Sequence, residues 1–148
     1  MSIKTQLNES MKDAMRSKDE VRLRTVRMAL AAVKQVEVDK RVELDDAAVM
    51  NLIQKEIKNR REAIEEAKRA NRPDLIAENQ AEIEVLQVFL PKAMPAEELR
   101  AMVQAAIAET GAASPADMGK VMKAVMPKVA GRAPNDMISA AVRELLQK

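Results

Sequence analysis

The chain has 148 residues, with 25 cations against 23 acids, no cysteine and no histidine. Those counts exclude disulfides, thiolate nucleophiles, imidazole general bases and the usual zinc ligand sets. The even split of charge, 18 cations and 17 acids in residues 1–94 and 7 and 6 in the rest, excludes a strongly basic nucleic-acid module in either half.

Apolar residues make up 47% of the chain, enough for a folded core, yet aromatics are reduced to Phe89. Leu, Ile, Val, Ala and eleven Met must therefore fill the interior, and the dominant residues are all good helix formers. The fold class is all-α. The longest unbroken apolar run, Met28 to Val33, is far short of a membrane span, and Met1 to Asn8 lacks an apolar signal core. The expectation is a cytoplasmic protein with no membrane contact.

In chain order, a first helix is expected from Ile3 to about Arg16, with Ile3, Leu7, Met11 and Ala14 on one stripe. Asp19 opens a second, with Glu20 in its first turn and Leu23, Val26, Leu30 and Val33 buried. Of Arg22, Arg24 and Arg27, at least one lies near the core edge. Asp45 caps a third helix reaching about Ala70, whose seam of Val49, Ile53, Ile57 and Ile64 is interrupted by Arg60. Its charge run from Lys55 to Glu66 allows the pairs Lys58–Glu62 and Arg61–Glu65. Asn71 to Asp74 form a turn, with Asn71 suited to a left-handed conformation and Pro73 to a helix start. The fourth helix presents Ile76, Asn79, Ile83, Leu86 and Leu90.

Two prolines, Pro91 and Pro95, bracket the expected boundary. The reading is a four-helix bundle-like subdomain over 1–90, a linker over 91–95 and a three-helix subdomain over 96–148. In the smaller lobe Leu99, Val103 and Ile107 face inward and Gly111 ends the helix. Ser114 to Asp117 has capping-box spacing, followed by Met118, Met122, Val125 and Val129. Pro127 is expected to kink or end that helix near Lys123 to Met126. The last helix buries Ile138, Val142 and Leu145. Met11, Met102, Met118 and Met122 are read as fillers of core gaps, with a methionine-lined partner groove as the alternative.

The stretch from Asp117 to Arg132 departs most from generic helix. It holds Lys120, Lys123, Lys128 and Arg132 against one acid, and Gly119 stands near a helix start. Glycine inside a helix costs about 0.8 to 1 kcal/mol relative to alanine. Gly119 thus marks a close approach by a partner or by another part of the chain, or simply relieves packing. No phosphate-binding glycine loop, metal-ligand cluster or amidase-type serine motif occurs.

Three segments, Ile53 to Ile64, Ala81 to Lys92 and Asp117 to Lys128, resemble the YqeY-like proteins, which are similar to the C-terminal tail domain of GatB, a subunit of the tRNA-dependent amidotransferase. The resemblance covers essentially the whole chain, and Asp117-Met-Gly-Lys-Val-Met followed by Gly131-Arg132 is its most specific part. It implies a four-helix and a three-helix subdomain. It also implies contact with tRNA but no chemistry, since the tail domain carries neither the amidase nor the kinase site. Asn71 and Pro134-Asn135 depart from the glycines common in the family at those turns.

The expected function is thus a stand-alone tRNA-binding accessory module that needs no cofactor. An aminoacyl-tRNA synthetase or amidotransferase is the implied protein partner. Lys120, Lys123, Lys128 and Arg132 would contact phosphates and Gly119 would admit the backbone, with Lys55, Lys58 and Arg61 as a second cluster; no catalytic or metal residue is assigned. Phosphate contacts orient an RNA without reading its bases, and stacking aromatics are lacking, so shape would be recognised. The alternatives are an amidotransferase-associated carbon–nitrogen ligase and a helical protein-interaction adaptor. Nothing in the sequence fixes the oligomeric state.

Overall fold

The computed structural model describes residues 2–147. They form seven α-helices and one short 3-10 turn, with no strand among the described residues. The chain divides into two compact units, one up to Leu90 and one from Pro91 onward.

In the first unit, α1 (Ile3–Ser17), α2 (Glu20–Lys40) and α3 (Asp46–Arg69) each start on a side-chain cap. The Ser2 hydroxyl accepts the Thr5 N–H at 3.1 Å, Asp19 that of Arg22 at 3.1 Å, and Asp45 that of Ala48 at 2.9 Å. Such caps satisfy amide groups that a helix start leaves orphaned. The fourth helix, α4 (Pro73–Gln87), instead begins with proline, which has no N–H to satisfy. Lys18, Arg41 and Asn71 turn the chain with positive φ, Asn71 at 55° as its residue type favours.

The core of this unit combines Ile3 and Leu7, Val26 and Val33, the seam of Val49, Ile53, Ile57 and Ile64, and Ile83, Leu86 and Phe89. Two stripes sit differently from the expected ones. On α2 the buried face is Thr25, Val26, Ala29 and Val33, with Leu23 and Leu30 only partly covered. That face is rotated roughly 60° from the leucine stripe. Since α2 touches α1, α3 and α4, its small residues take the crowded side. The Thr25 hydroxyl is satisfied by donating to the Val21 carbonyl at 2.7 Å. On α4, Glu82 is buried while Ile76 and Asn79 stay half-covered, and the helix ends at Gln87, just before the buried Phe89 and half-covered Leu90.

Arg60, which breaks the apolar seam of α3, is only 6% exposed. Its Nε donates to Glu82 at 2.9 Å and its Nη1 to the Glu56 carboxylate at 2.8 Å. The other Glu82 oxygen accepts from Arg24 at 3.2 Å, and Arg24 also reaches Glu78 at 3.3 Å. One network therefore ties α2, α3 and α4.

A second tie gathers the ends of α1, α2 and α3. Glu37 accepts from the Lys4 ammonium at 2.7 Å and from the Leu44 N–H at 2.8 Å, and Asp46 accepts from the Ile3 N–H at 3.0 Å.

The second unit contains α5 (Ala96–Thr110), a 3-10 turn over Pro115–Asp117, α6 (Met118–Val129) and α7 (Asn135–Leu146). Each helix supplies three buried residues about one turn apart: Leu99, Val103 and Ala106; Val121, Val125 and Val129; Ile138, Val142 and Leu146. Met94 and Ala133 complete the core, so the proline-bracketed stretch sends a side chain into this unit. Met102, Met118, Met122, Ile107 and Leu145 pack around the core, partly covered. Gly111 ends α5 with φ 70°, as its position predicts. Ser114 makes no side-chain cap bond, and Asp117 instead accepts the N–H of Ala113, one residue before the cap, at 3.0 Å.

Pro127 neither ends α6 nor stops it short of Val129. The residue lies in the last turn, where its missing N–H removes one intrahelical bond. The Ala130 N–H, from a left-handed cap, then closes on the Met126 carbonyl at 3.1 Å.

Two measurements test these ties. Glu82→Leu should destabilise the chain by about 2 to 4 kcal/mol in denaturant unfolding, because it strands the buried Arg60 charge with only Glu56 to face. The double variant Arg60→Met/Glu82→Leu should recover most of that loss; a double variant as unstable as the single one would refute the account.

For Glu37, the Lys4 hydrogen bond, reinforced by Leu44 N–H, holds the carboxyl below its ordinary value against partial burial. Its contribution is complete above the unfolded glutamate value of about 4.3 and drains away as pH falls through the lower folded value. Glu37→Gln should therefore lower stability at neutral pH and converge with the natural chain in acid, as read by Tm across a pH series.

Candidate nucleic-acid interface

The short turn from Pro115 to Asp117 delivers the chain into α6 with Gly119 as the second helical residue. Gly119 is exposed, and a Cβ added there would meet nothing within 4 Å. The internal-packing explanation of this glycine therefore fails. What it leaves is a strip of bare helix backbone facing outward.

Lys120 and Lys123 follow on that outer surface, both exposed. They are three residues apart, about 60° around the axis, so their ammonium groups share one side of the helix. Asp117 lies beside Lys120. Its carboxyl is held below the ordinary value chiefly by the Ala113 N–H, with Lys120 adding to the effect. Lys123 has neither an ion pair nor a hydrogen bond among the described residues.

The other two cations of the stretch are engaged within the chain. Lys128 reaches the Glu109 carboxylate on α5 at 3.0 Å, with both side chains about half-exposed. An exposed pair of this kind holds weakly and competes poorly with an incoming polyanion. Arg132 is held far more firmly. Its two terminal nitrogens fork onto both oxygens of Glu98, at 2.9 and 3.2 Å. Its Nε donates to the Lys92 carbonyl at 3.1 Å, and its own carbonyl accepts the Met94 N–H at 2.9 Å. Arg132 is thus a clamp that fixes residues 92–94 against α5 and seats Met94 in the core. α6 runs on through Pro127 to Val129, and Lys128 and Arg132 each meet an acid of α5.

In the first unit, Lys55, Lys58 and Arg61 are all exposed on α3. Lys58 and Arg61 line a shallow groove of about 450 Å³ between α3 and α4, together with Glu62, Glu65 and Lys68. Lys55 lies outside it. Glu65 faces Lys68 at 3.1 Å, and the acids nearly balance the cations, so phosphates entering there would meet carboxylates.

Among the described residues no group of three or more acidic, histidine or cysteine side chains could hold a metal ion. No helix among the described residues is long and apolar enough to cross a membrane. The polar residues missed by sequence reading are partners rather than ligands: Glu98 behind Arg132, and Glu82 behind Arg60 and Arg24. They lie 22 to 58 residues from the groups they hold, beyond any helical period.

Comparison with known proteins matches the model of the Yqey-like protein family to residues 4–146. Altered inheritance of mitochondria protein 41, mitochondrial, from Pyrenophora tritici-repentis is 32% identical over 145 residues, which cover 95% of this chain and 78% of that protein. The proteins of the same name from Lachancea thermotolerans and Eremothecium gossypii are 36% and 35% identical over 85 and 107 residues. Those stretches cover 57% and 70% of this chain but only 46% and 58% of the relatives. These names overturn the cytoplasmic expectation. It rested on the lack of cysteine and of an apolar signal core, two absences that distinguish poorly between reducing compartments. On the match over nearly its whole length, the chain belongs to the family of Yqey-like proteins.

Proposed function

We propose that this chain is a non-catalytic accessory module that binds tRNA through backbone phosphates, with α6 of the second unit as the contact surface. The observation behind this reading is the outer face of α6, where Lys120 and Lys123 stand exposed beside Gly119. Two ammonium groups on one side of a helix match adjacent phosphates, and the absent side chain at Gly119 lets a ribose-phosphate strand lie close. Lys128 joins only by giving up Glu109, and Arg132 supports the surface from behind without touching RNA.

The sole aromatic, Phe89, is buried in the core of the first unit, so bases find no stacking platform. Recognition then follows the folded shape of the RNA rather than its sequence. In this reading the α1–α4 and α5–α7 units act as a four-helix and a three-helix lobe, each folding around its own core.

The test is tRNA binding as a function of salt. Lys120→Gln/Lys123→Gln should keep the fold and lower the slope of log K against log salt by about 0.7 to 0.9 for each phosphate no longer neutralised. Arg132→Gln should instead lower Tm while leaving that slope unchanged. Gly119→Ala fills open space on a helix, so it should raise stability by up to about 1 kcal/mol while weakening tRNA binding. An unchanged salt slope in the double lysine variant would refute the assignment.

A further inference from the structure

The face of α2 turned away from the core has a composition unlike an ordinary solvated surface. Arg27, Met28, Ala31, Lys34, Gln35 and Val38 lie on it, opposite the buried Thr25, Val26, Ala29 and Val33. Met28 is 48% exposed, Val38 61%, and Val42, just beyond the helix, 50%.

Their spacing is that of a seam. Met28, Ala31, Gln35 and Val38 follow one another at steps of three, four and three, the repeat by which one helix lays its side chains against another, and Val42 comes just past the helix end. Beside the seam run Arg27 and Lys34, seven residues and so about 10.5 Å apart along the helix, with Arg41 at the left-handed cap that ends it. Between Glu20 and Glu37 the helix carries no acid at all. Glu37 is held mainly by Lys4 and the Leu44 N–H, and Lys34 adds a smaller attraction to the same carboxylate, so the row is only partly offset.

We propose that this face is a docking surface for an amphipathic helix of a partner protein, with an aliphatic seam flanked by aspartate or glutamate. Charge complementarity selects that occupant. In an antiparallel pair of two copies, the row of Arg27, Lys34 and Arg41 would face the same row. A parallel pair would set it against Ala32 and Asp39, which offer one acid. RNA phosphates would answer the cations and leave Met28, Val38 and Val42 without an apolar neighbour. An acidic amphipathic helix answers both. The surface is built on a different helix with different residues, so this inference stands or falls independently of the tRNA reading.

The experiment uses the full chain and two synthetic helical peptides, each with a leucine seam, one flanked by glutamates and one by lysines. Binding is followed by fluorescence anisotropy. The glutamate peptide should bind and the lysine peptide should not. Lys34→Glu should weaken the glutamate peptide by about tenfold and admit the lysine peptide, and Val38→Glu should abolish binding of the former. Both positions are exposed, so circular dichroism should show an unchanged fold. The inference is overturned if both peptides bind alike, if neither binds, or if the variants bind as the natural chain does. It also fails if Val38→Glu dissolves a dimer, or if the α2 variants lower affinity for tRNA or for phosphatidylglycerol vesicles and leave the peptide untouched.

Discussion

The buried guanidinium of Arg60 constrains three of the four helices of the first unit. A charge only 6% exposed is tolerable when its donors meet acceptors at close range, and here Glu82 and Glu56 supply them. Those acceptors fix geometry as well as charge. Glu82 reaches Arg60 with one oxygen and Arg24 with the other, so the rotation of α4 about its axis is locked to both α2 and α3. Aliphatic side chains impose no such angular requirement. A core of Ile, Leu and Val resists rotation through shape alone, whereas this pairing adds a directional demand on where donors and acceptors stand.

The second unit solves a similar problem at its edge. Arg132 joins the loop after α6 to α5 through Glu98 and to the incoming chain through Lys92 and Met94. A cation that reads in the sequence as one of four equivalent phosphate ligands is therefore part of the scaffold. Lys120 and Lys123 have no such duty, because other residues hold the helices around them.

How much of this was readable depends on the range over which each force acts. Caps at Asp19 and Asp45, the left-handed Asn71, the stop at Gly111 and the seam of α3 follow from residues within a turn of one another. The periodic signal is local, and it succeeds there. It misplaces the buried face of α2 because hydrophobicity ranks Leu23 and Leu30 above Thr25 and Ala29, while three neighbouring helices reward small side chains. It ends α6 too early at Pro127, since the loss of one N–H is serious mid-helix and slight in the last turn. Pairings such as Arg60 with Glu82 or Arg132 with Glu98 have no local signature, so the cations nearest a candidate site could not be divided into free and engaged ones from the sequence.

The choice of side chains in the second core has a dynamic consequence. Val103, Val121, Val125, Val129 and Val142 lie at its centre, and valine has one strongly preferred rotamer in a helix. Around them Met102, Met118 and Met122 are partly covered and have three freely rotating bonds each. Order should thus fall off outward, from a rigid centre to a pliant rim that can remodel without disturbing the backbone. Met118 and Met122 belong to the same helix as Lys120 and Lys123, so the cationic face rests on a helix that is stiff along its buried side and yielding at its flanks.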